Sequence, residues 1–395
     1  MQYRRFGRTE LQMPVFSCGG MRYQHQWQDL PLADVPAANQ ANLEATIRRS
    51  VEVGINHIET ARGYGSSERQ LGVILPTFPR EQLIVQTKIG PEEDPKQFTA
   101  NFMESLDRLK LDYVDLLAIH GINDAGCAEK SLRPGGCLAA ARQLQRQGLA
   151  RHIGFSTHGP TDLIIDCINH AADGGFDYVN LHWYWIYQKN WAAVEAATRR
   201  DMGVFIISPS DKGGKLYDPP DKLVELCRPL HPIVFNDLFC LARPQVHTLS
   251  IGAARPSDFD RHLETVPLLD RADELLPPIL DRLHAELNRL DPPLRDPFAL
   301  QLPTWENTPG QVHIAIILWL LGLAKALDMT GYGQMRYNLL GNGGHWFPGQ
   351  NAAKVDDLDL GEVARRSGVG ERLVPLLRQA HATFGGEQVK RLSQS

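Results

Sequence analysis

Four ionisable residues lie at or just past the C-terminal ends of three successive apolar runs: Glu59 and Tyr64 in INHIETARGYGSSERQLG, Lys88 in LIVQTKIG and His120 in YVDLLAIHG. A carboxylate, a phenol, an ammonium and an imidazole brought together can protonate a carbonyl oxygen while a hydride reaches its carbon. With an ordinary pKa of about 10, tyrosine is a slow acid at neutral pH unless a neighbouring cation stabilises its anion. Lys88 would be that cation, and Glu59 the counter-charge that an ammonium needs in a partly dry pocket. His120 would donate a hydrogen bond to the oxygen on which negative charge grows, where a preorganised donor contributes most.

Each of the four has an ordinary reading when taken alone. A tyrosine after a strand packs, a lysine is solvated, a glutamate caps the next helix, and His120 is one of 14 histidines. Their shared placement at strand ends joins them, because barrel enzymes build their active sites there.

From about residue 15 to 255, short apolar runs alternate with amphipathic segments, the pattern of repeated βα units and a parallel sheet. The strand candidates are Val15 to Cys18, Asn56 to Glu59, Leu83 to Lys88, Tyr113 to His120, His152 to Ser156, Tyr178 to His182, Val204 to Ser208 and Val246 to Ile251. Between them run helical patterns such as NLEATIRRSVEV and FTANFMESLDRL, with apolar residues at three- and four-residue spacing. Eight units in roughly 250 residues meet the requirement of a TIM barrel. An open doubly wound sheet would need a glycine-rich phosphate loop after its first strand, and CGGMRY is not one. Beyond about residue 265 the pattern becomes helical, with loops rich in Gly, Pro and Asn such as LLGNGGHWFPGQNAAK. The expected architecture is α/β: a (β/α)8 TIM barrel over residues 1–265 with an all-helical C-terminal extension over 266–395.

Composition sets the limits. With 43% apolar and 22% charged residues, the 395-residue chain is an ordinary globular sequence. A net charge of −5 without a long basic run argues against nucleic acid or an anionic membrane surface as partner. The longest apolar stretch, IAIILWLLGLAKAL, is too short for a bilayer core of about 30 Å, and the start lacks the apolar core of a signal peptide. Six cysteines are scattered without ligand spacing, which fits free thiols in a reducing cytoplasm and no metal site.

YRRFGRT, CGGMRY, GINHIETARGYGSSERQLG, QTKIG, SLDRLKLDYVDLLAIHG and GLARHIGFSTH together resemble, in order, the aldo-keto reductase superfamily over residues 1 to about 265. The resemblance implies a TIM barrel that reduces aldehydes and ketones with NADP(H). It carries the family's Asp, Tyr, Lys and His onto Glu59, Tyr64, Lys88 and His120. Glu59 departs from the usual Asp by one methylene, which moves the carboxylate by about 1.5 Å. The cofactor-binding positions it implies are Gly20, Met21, Ser156, Thr157, Asn180, Ser208, Lys212, Gly252 and Arg255. Three departures fall among them: Thr157 stands for the usual Asn, Asn180 for the usual Gln, and Ile207 where many members stack an aromatic ring. Lys212 in SDKGGKL would face phosphate, GAARPSDF opens a helix, and Arg255 would grip a 2′-phosphate. NADPH is therefore the expected cofactor.

Aromatic residues on the same loops, Tyr23, Trp27, Trp183 and Trp185, are the candidate substrate walls for a flat or apolar carbonyl compound. The C-terminal segment from Trp305 to Asn351 resembles a ferredoxin-like extension of some bacterial members. No cysteine follows Cys240, so no iron–sulfur cluster is expected. That domain is the place for a protein partner. The rival reading is an NADPH-binding regulatory protein with slow or no turnover; a metal-dependent hydrolase lacks the necessary ligand cluster.

Overall fold

The computed structural model describes residues 1–341 and 346–386, so residues 342–345 of the expected loop LLGNGGHWFPGQNAAK lie outside the described residues. The chain opens with an antiparallel hairpin, β1 (Tyr3–Arg5) and β2 (Gln12–Pro14). Eight parallel strands then close into a barrel: β3 (Phe16–Gly19), β4 (His57–Glu59), β5 (Ile84–Ile89), β6 (Val114–His120), β7 (Ala150–Ser156), β8 (Tyr178–Leu181), β9 (Gly203–Ile206) and β10 (Thr248–Ile251). The order follows the chain, and β10 pairs with β3 to seal it.

All eight sequence-derived strands are present, with no end moved by more than two residues. β9 stops at Ile206, short of the expected Ser208, because Ser208 takes a left-handed φ of 55° that no strand continues through. The hairpin was not expected, and its role is local. Phe6 and Met13 join Ile84, Leu116, Ala118, Tyr178 and Phe205 in one buried apolar cluster, which places the hairpin at the N-terminal floor of the barrel.

This floor fixes what lies above it. Strand side chains alternate faces with period two. Since Ile84, Leu116, Ala118 and Tyr178 point into the barrel, so do Lys88, His120 and Asn180, toward the C-terminal end. Gly154 on β7 makes room for this packing: a Cβ there would come 2.6 Å from the Tyr178 ring.

The chain divides into two compact units, one of residues 1–213 with 236–272 and the other of residues 214–235 with 273–395. The sequence placed the boundary at 265 and read 214–235 as part of the barrel. In the structure, this insertion after β9 bonds within the second unit. Arg282 donates to the Leu226 carbonyl at 3.0 Å and Lys222 pairs with Glu286 at 2.8 Å. A short helical insertion between two barrel strands reads, by composition, as an ordinary βα loop. Among its described residues the second unit has helices and no strand. Helix Ile314–Leu327, apolar on nearly every side, is buried and packs against helices Thr330–Tyr337 and Leu373–Phe384. No helix among the described residues is long and apolar enough to cross a membrane.

Candidate active site

Glu59 ends β4, Lys88 lies one residue before the end of β5 and His120 ends β6, so three neighbouring strands deliver them to one end of the barrel. Lys88 and Glu59 form an ion pair with side chains 1% and 5% exposed. Lys88 Nζ also donates to the Thr60 carbonyl at 2.8 Å and reaches the Tyr64 hydroxyl at 3.4 Å. The rings of Tyr64 and His120 meet edge to face, with centroids 5.6 Å apart. The four residues named from the sequence are therefore in mutual reach.

The turn that carries Tyr64 depends on Gly65. Its φ is 52°, and a Cβ there would stand 1.8 Å from the Gln26 carbonyl oxygen, so only glycine lets the loop bearing Gln26 and Trp27 close on this turn. Trp27, 43% exposed, then lies edge-on to Tyr64 at 6.1 Å.

Burial, with the Glu59 charge adding to it, pushes the Tyr64 phenol well above its ordinary value. This differs from the lowering expected of a neighbouring lysine, because the Lys88 charge is engaged by Glu59 and the Thr60 carbonyl. Burial pulls the Lys88 ammonium down while Glu59 opposes that pull. Burial, with Lys88 and Lys212 adding to it, pushes the His120 imidazole down to about 3. At neutral pH the site thus holds a protonated phenol and a neutral imidazole. The first can give a proton and the second can donate a hydrogen bond to a developing alkoxide.

Beside His120 the sheet register runs His120, Ser156, Asn180 across β6, β7 and β8. Asn180 is fully buried, and both its carboxamide atoms lack a hydrogen-bond partner. A buried carboxamide left so is costly, by about 1–3 kcal/mol per group. A ligand amide offering one donor and one acceptor satisfies both atoms, so the residues present fit a nicotinamide carboxamide. Ser156 Oγ accepts from the Gly121 amide at 3.1 Å and keeps its own proton to donate. The Thr157 hydroxyl is engaged in the fold, donating to the Ile122 carbonyl at 2.6 Å and accepting from the Gly159 amide at 2.9 Å. Gly20 and Met21 follow β3 at the same barrel end.

The remaining candidates spread along the rim. Ser208 opens the loop after β9, where Lys212 Nζ lies 3.2 Å from His158 Nε2 and 3.4 Å from His182 Nε2. These two imidazoles stack and share a 2.6 Å hydrogen bond. That cluster was not legible in the sequence, since its members come from three separate strand ends. Gly252 and Arg255 follow β10, and the helix they lead into, Asp258–Leu263, has two acids in its first turn, Asp258 and Asp260. The sequence read Arg255 as available, whereas its Nε bonds Asp258 Oδ1 at 3.2 Å. The acid three residues downstream was the signal that could have shown this pairing. Of the aromatic residues, Tyr23, Trp183 and Trp185 are 0%, 2% and 6% exposed, and Trp183 packs between Trp191 and Phe239. Only Trp27 among the four stands open beside Tyr64.

Residues 16–200, which include the four ionisable residues together with Ser156 and Asn180, match the model of the Aldo/keto reductase family. L-Galactose dehydrogenase of Arabidopsis thaliana is 33% identical over 144 residues, 34% of this chain and 44% of that protein. L-Glyceraldehyde 3-phosphate reductase of Escherichia coli is 28% identical over 176 residues, 40% of this chain and 46% of that protein. The chain thus spans less than half the length of these two relatives. D-threo-Aldose 1-dehydrogenase of a Pseudomonas species is matched more fully, at 24% identity over 60% of this chain and 90% of that protein. Among solved structures, a thermostable aldo-keto reductase in complex with the inhibitor epalrestat superimposes with a TM-score of 0.57 at 20% identity, covering 70% of this chain and all of that one. A Bacillus halodurans aldo-keto reductase in its holo form gives 0.55 at 19% identity, over 71% and 96%. At these identities the structural likeness speaks for the fold.

Proposed function

We propose that the chain is a nicotinamide-dependent oxidoreductase that reduces an aldehyde or ketone to an alcohol, with NADPH as the reductant. The observation that carries this reading is the Lys88 ammonium, buried and held between Glu59, the Thr60 carbonyl and the Tyr64 hydroxyl. When bound, the reduced nicotinamide supplies the hydride for the new C–H bond. The chain's residues supply the rest.

Tyr64 Oη gives its proton to the carbonyl oxygen as negative charge builds there, and the tyrosinate left behind faces Lys88 Nζ. That cation is worth more to the anion than to the neutral phenol, so its contribution falls on the transition state. Glu59 keeps Lys88 charged and aimed. His120, neutral because burial has lowered its pKa to about 3, donates a ring N–H to the same oxygen. Tyr64 regains its proton from solvent. Ser156 and Asn180 would hold the nicotinamide carboxamide, and the Ser208 to Lys212 loop and Gly252 would meet its phosphates. Trp27 supports a flat face on the substrate.

The test is direct. Purified full-length protein with NADPH and a panel of aldehydes, ketones and quinones should oxidise the nucleotide with at least one class. Tight NADPH binding with no oxidation across the panel would instead mark a nucleotide-responsive regulatory protein.

A further inference from the structure

Trp27, open to solvent beside Tyr64, sits between two anchors that flank it in the chain. The first is the Tyr64 turn. The Ser66 amide donates to the Gln26 carbonyl at 3.4 Å, and the His25 amide lies 3.3 Å from Ser66 Oγ and 3.1 Å from Gln70 Oε1. The second is Asp29, which accepts from two arginines at once. Arg69 Nε donates to its Oδ1 at 2.7 Å and Arg69 Nη2 to its Oδ2 at 3.0 Å, while Arg108 Nη2 lies 2.8 Å from Oδ2.

The two arginines come from different helices, Ser67–Ile74 and Pro95–Leu109. Gly72 lets these helices meet, since a Cβ there would stand 2.0 Å from the Arg108 carbonyl oxygen. Arg108, its side chain 8% exposed, is fixed further by Glu104 at 2.7 Å and Glu68 at 3.6 Å. A two-pronged guanidinium–carboxylate contact sets direction as well as distance, so Asp29 docks on a fork whose position the helices decide. Trp27 is itself 43% exposed and meets Tyr64 edge to face at 6.1 Å, a contact too weak to order an exposed segment unaided. We propose that Asp29 is a positioning residue: gripped by Arg69 and Arg108, it latches the segment after β3 so that Trp27 stays beside Tyr64 as the flat wall for an aromatic carbonyl substrate. Released from the fork, the segment would keep its Gln26 anchor and Trp27 would swing beyond it. The cost falls on substrate binding, because the contacts among Lys88, Glu59, Thr60 and Tyr64 do not pass through Asp29. This inference rests on the carbonyl-reduction reading above and adds to it the class of substrate.

Steady-state kinetics of the full chain with NADPH test it, using 4-nitrobenzaldehyde as the aromatic substrate and propanal as the small aliphatic control. Asp29→Asn keeps the shape and removes the charge, so KM for the aromatic aldehyde should rise by about fivefold, the upper worth of a partly exposed ion pair. Its kcat, its NADPH affinity and its KM for propanal should stay as in the wild type, and Asp29→Glu, which keeps the charge, should recover part of the loss. In a Trp27→Ala background, Asp29→Asn should have no further effect on the aromatic KM, because the latch then has nothing to hold. An unmoved KM in Asp29→Asn, an equal rise in the Trp27→Ala background, or a parallel loss of kcat and NADPH affinity overturns the latch and leaves carbonyl reduction standing. A wild type that reduces propanal but not the aromatic aldehyde overturns it as well. If the wild type reduces no carbonyl compound, the functional reading itself fails and takes this inference with it.

Discussion

Tyr64 and Lys88 are asked to do opposite things with one environment. Burial raises the phenol and lowers the ammonium, so the phenol is protonated at neutral pH and the acid is loaded before substrate arrives. The sign of the pH dependence follows. Reduction needs Tyr64 protonated and Lys88 charged, and both conditions hold below their pKa values. Activity should therefore fall as pH rises through the lowered Lys88 value, which shields tyrosinate less once neutral. His120, pushed to about 3, stays neutral through the physiological range and should add no acid limb there. A kcat/KM profile for carbonyl reduction would show this as a plateau ending in a single alkaline decline. A decline centred near the ordinary histidine value of about 6.5 would mean that His120 titrates during turnover.

At the scale of elements, the barrel interior determines whether the site can form. Gly154 faces the Tyr178 ring, and the missing side chain is what lets that ring fill the barrel beneath Asn180. Gly154→Ala should cost about 1–3 kcal/mol through overpacking, measured as a lower denaturant midpoint, and truncating the ring with Tyr178→Leu should recover part of it. Much of this architecture was legible in the sequence. Eight apolar runs ending in Glu59, Lys88, His120 or their equivalents read as strands because buried parallel strands are near-continuously apolar. The placement of the four ionisable residues followed from those ends. Interactions that join distant strand ends were not legible. The Lys212, His158 and His182 cluster draws on β7, β8 and the loop after β9, and periodicity carries no information about which loops meet. The burial of Trp183 was equally hidden, since an aromatic residue past a strand has the same pattern whether it lines a mouth or packs against Phe239.

At the scale of the whole molecule, the barrel with its rim loops makes one compact unit, and residues 214–235 join 273–395 in another. The tetrad, Ser156, Asn180 and the loop after β10 all belong to the first. The chemistry proposed here is thus built within the barrel unit, and the net charge of −5 gives no general field to draw in an anionic nucleotide. In the proposed reading, recognition comes from placed groups such as Asn180, whose buried carboxamide lacks a partner in the fold. In the proposed mechanism Tyr64 delivers the proton while Lys88 stabilises its anion. The most direct test of that mechanism is single-turnover oxidation of pre-bound NADPH by a carbonyl substrate, in wild type and Tyr64→Phe, with nucleotide binding measured alongside. NADPH affinity should be unchanged and the hydride-transfer rate lower by about a hundredfold or more, the usual worth of a positioned general acid. A Tyr64→Phe enzyme that transfers hydride at the wild-type rate would contradict it.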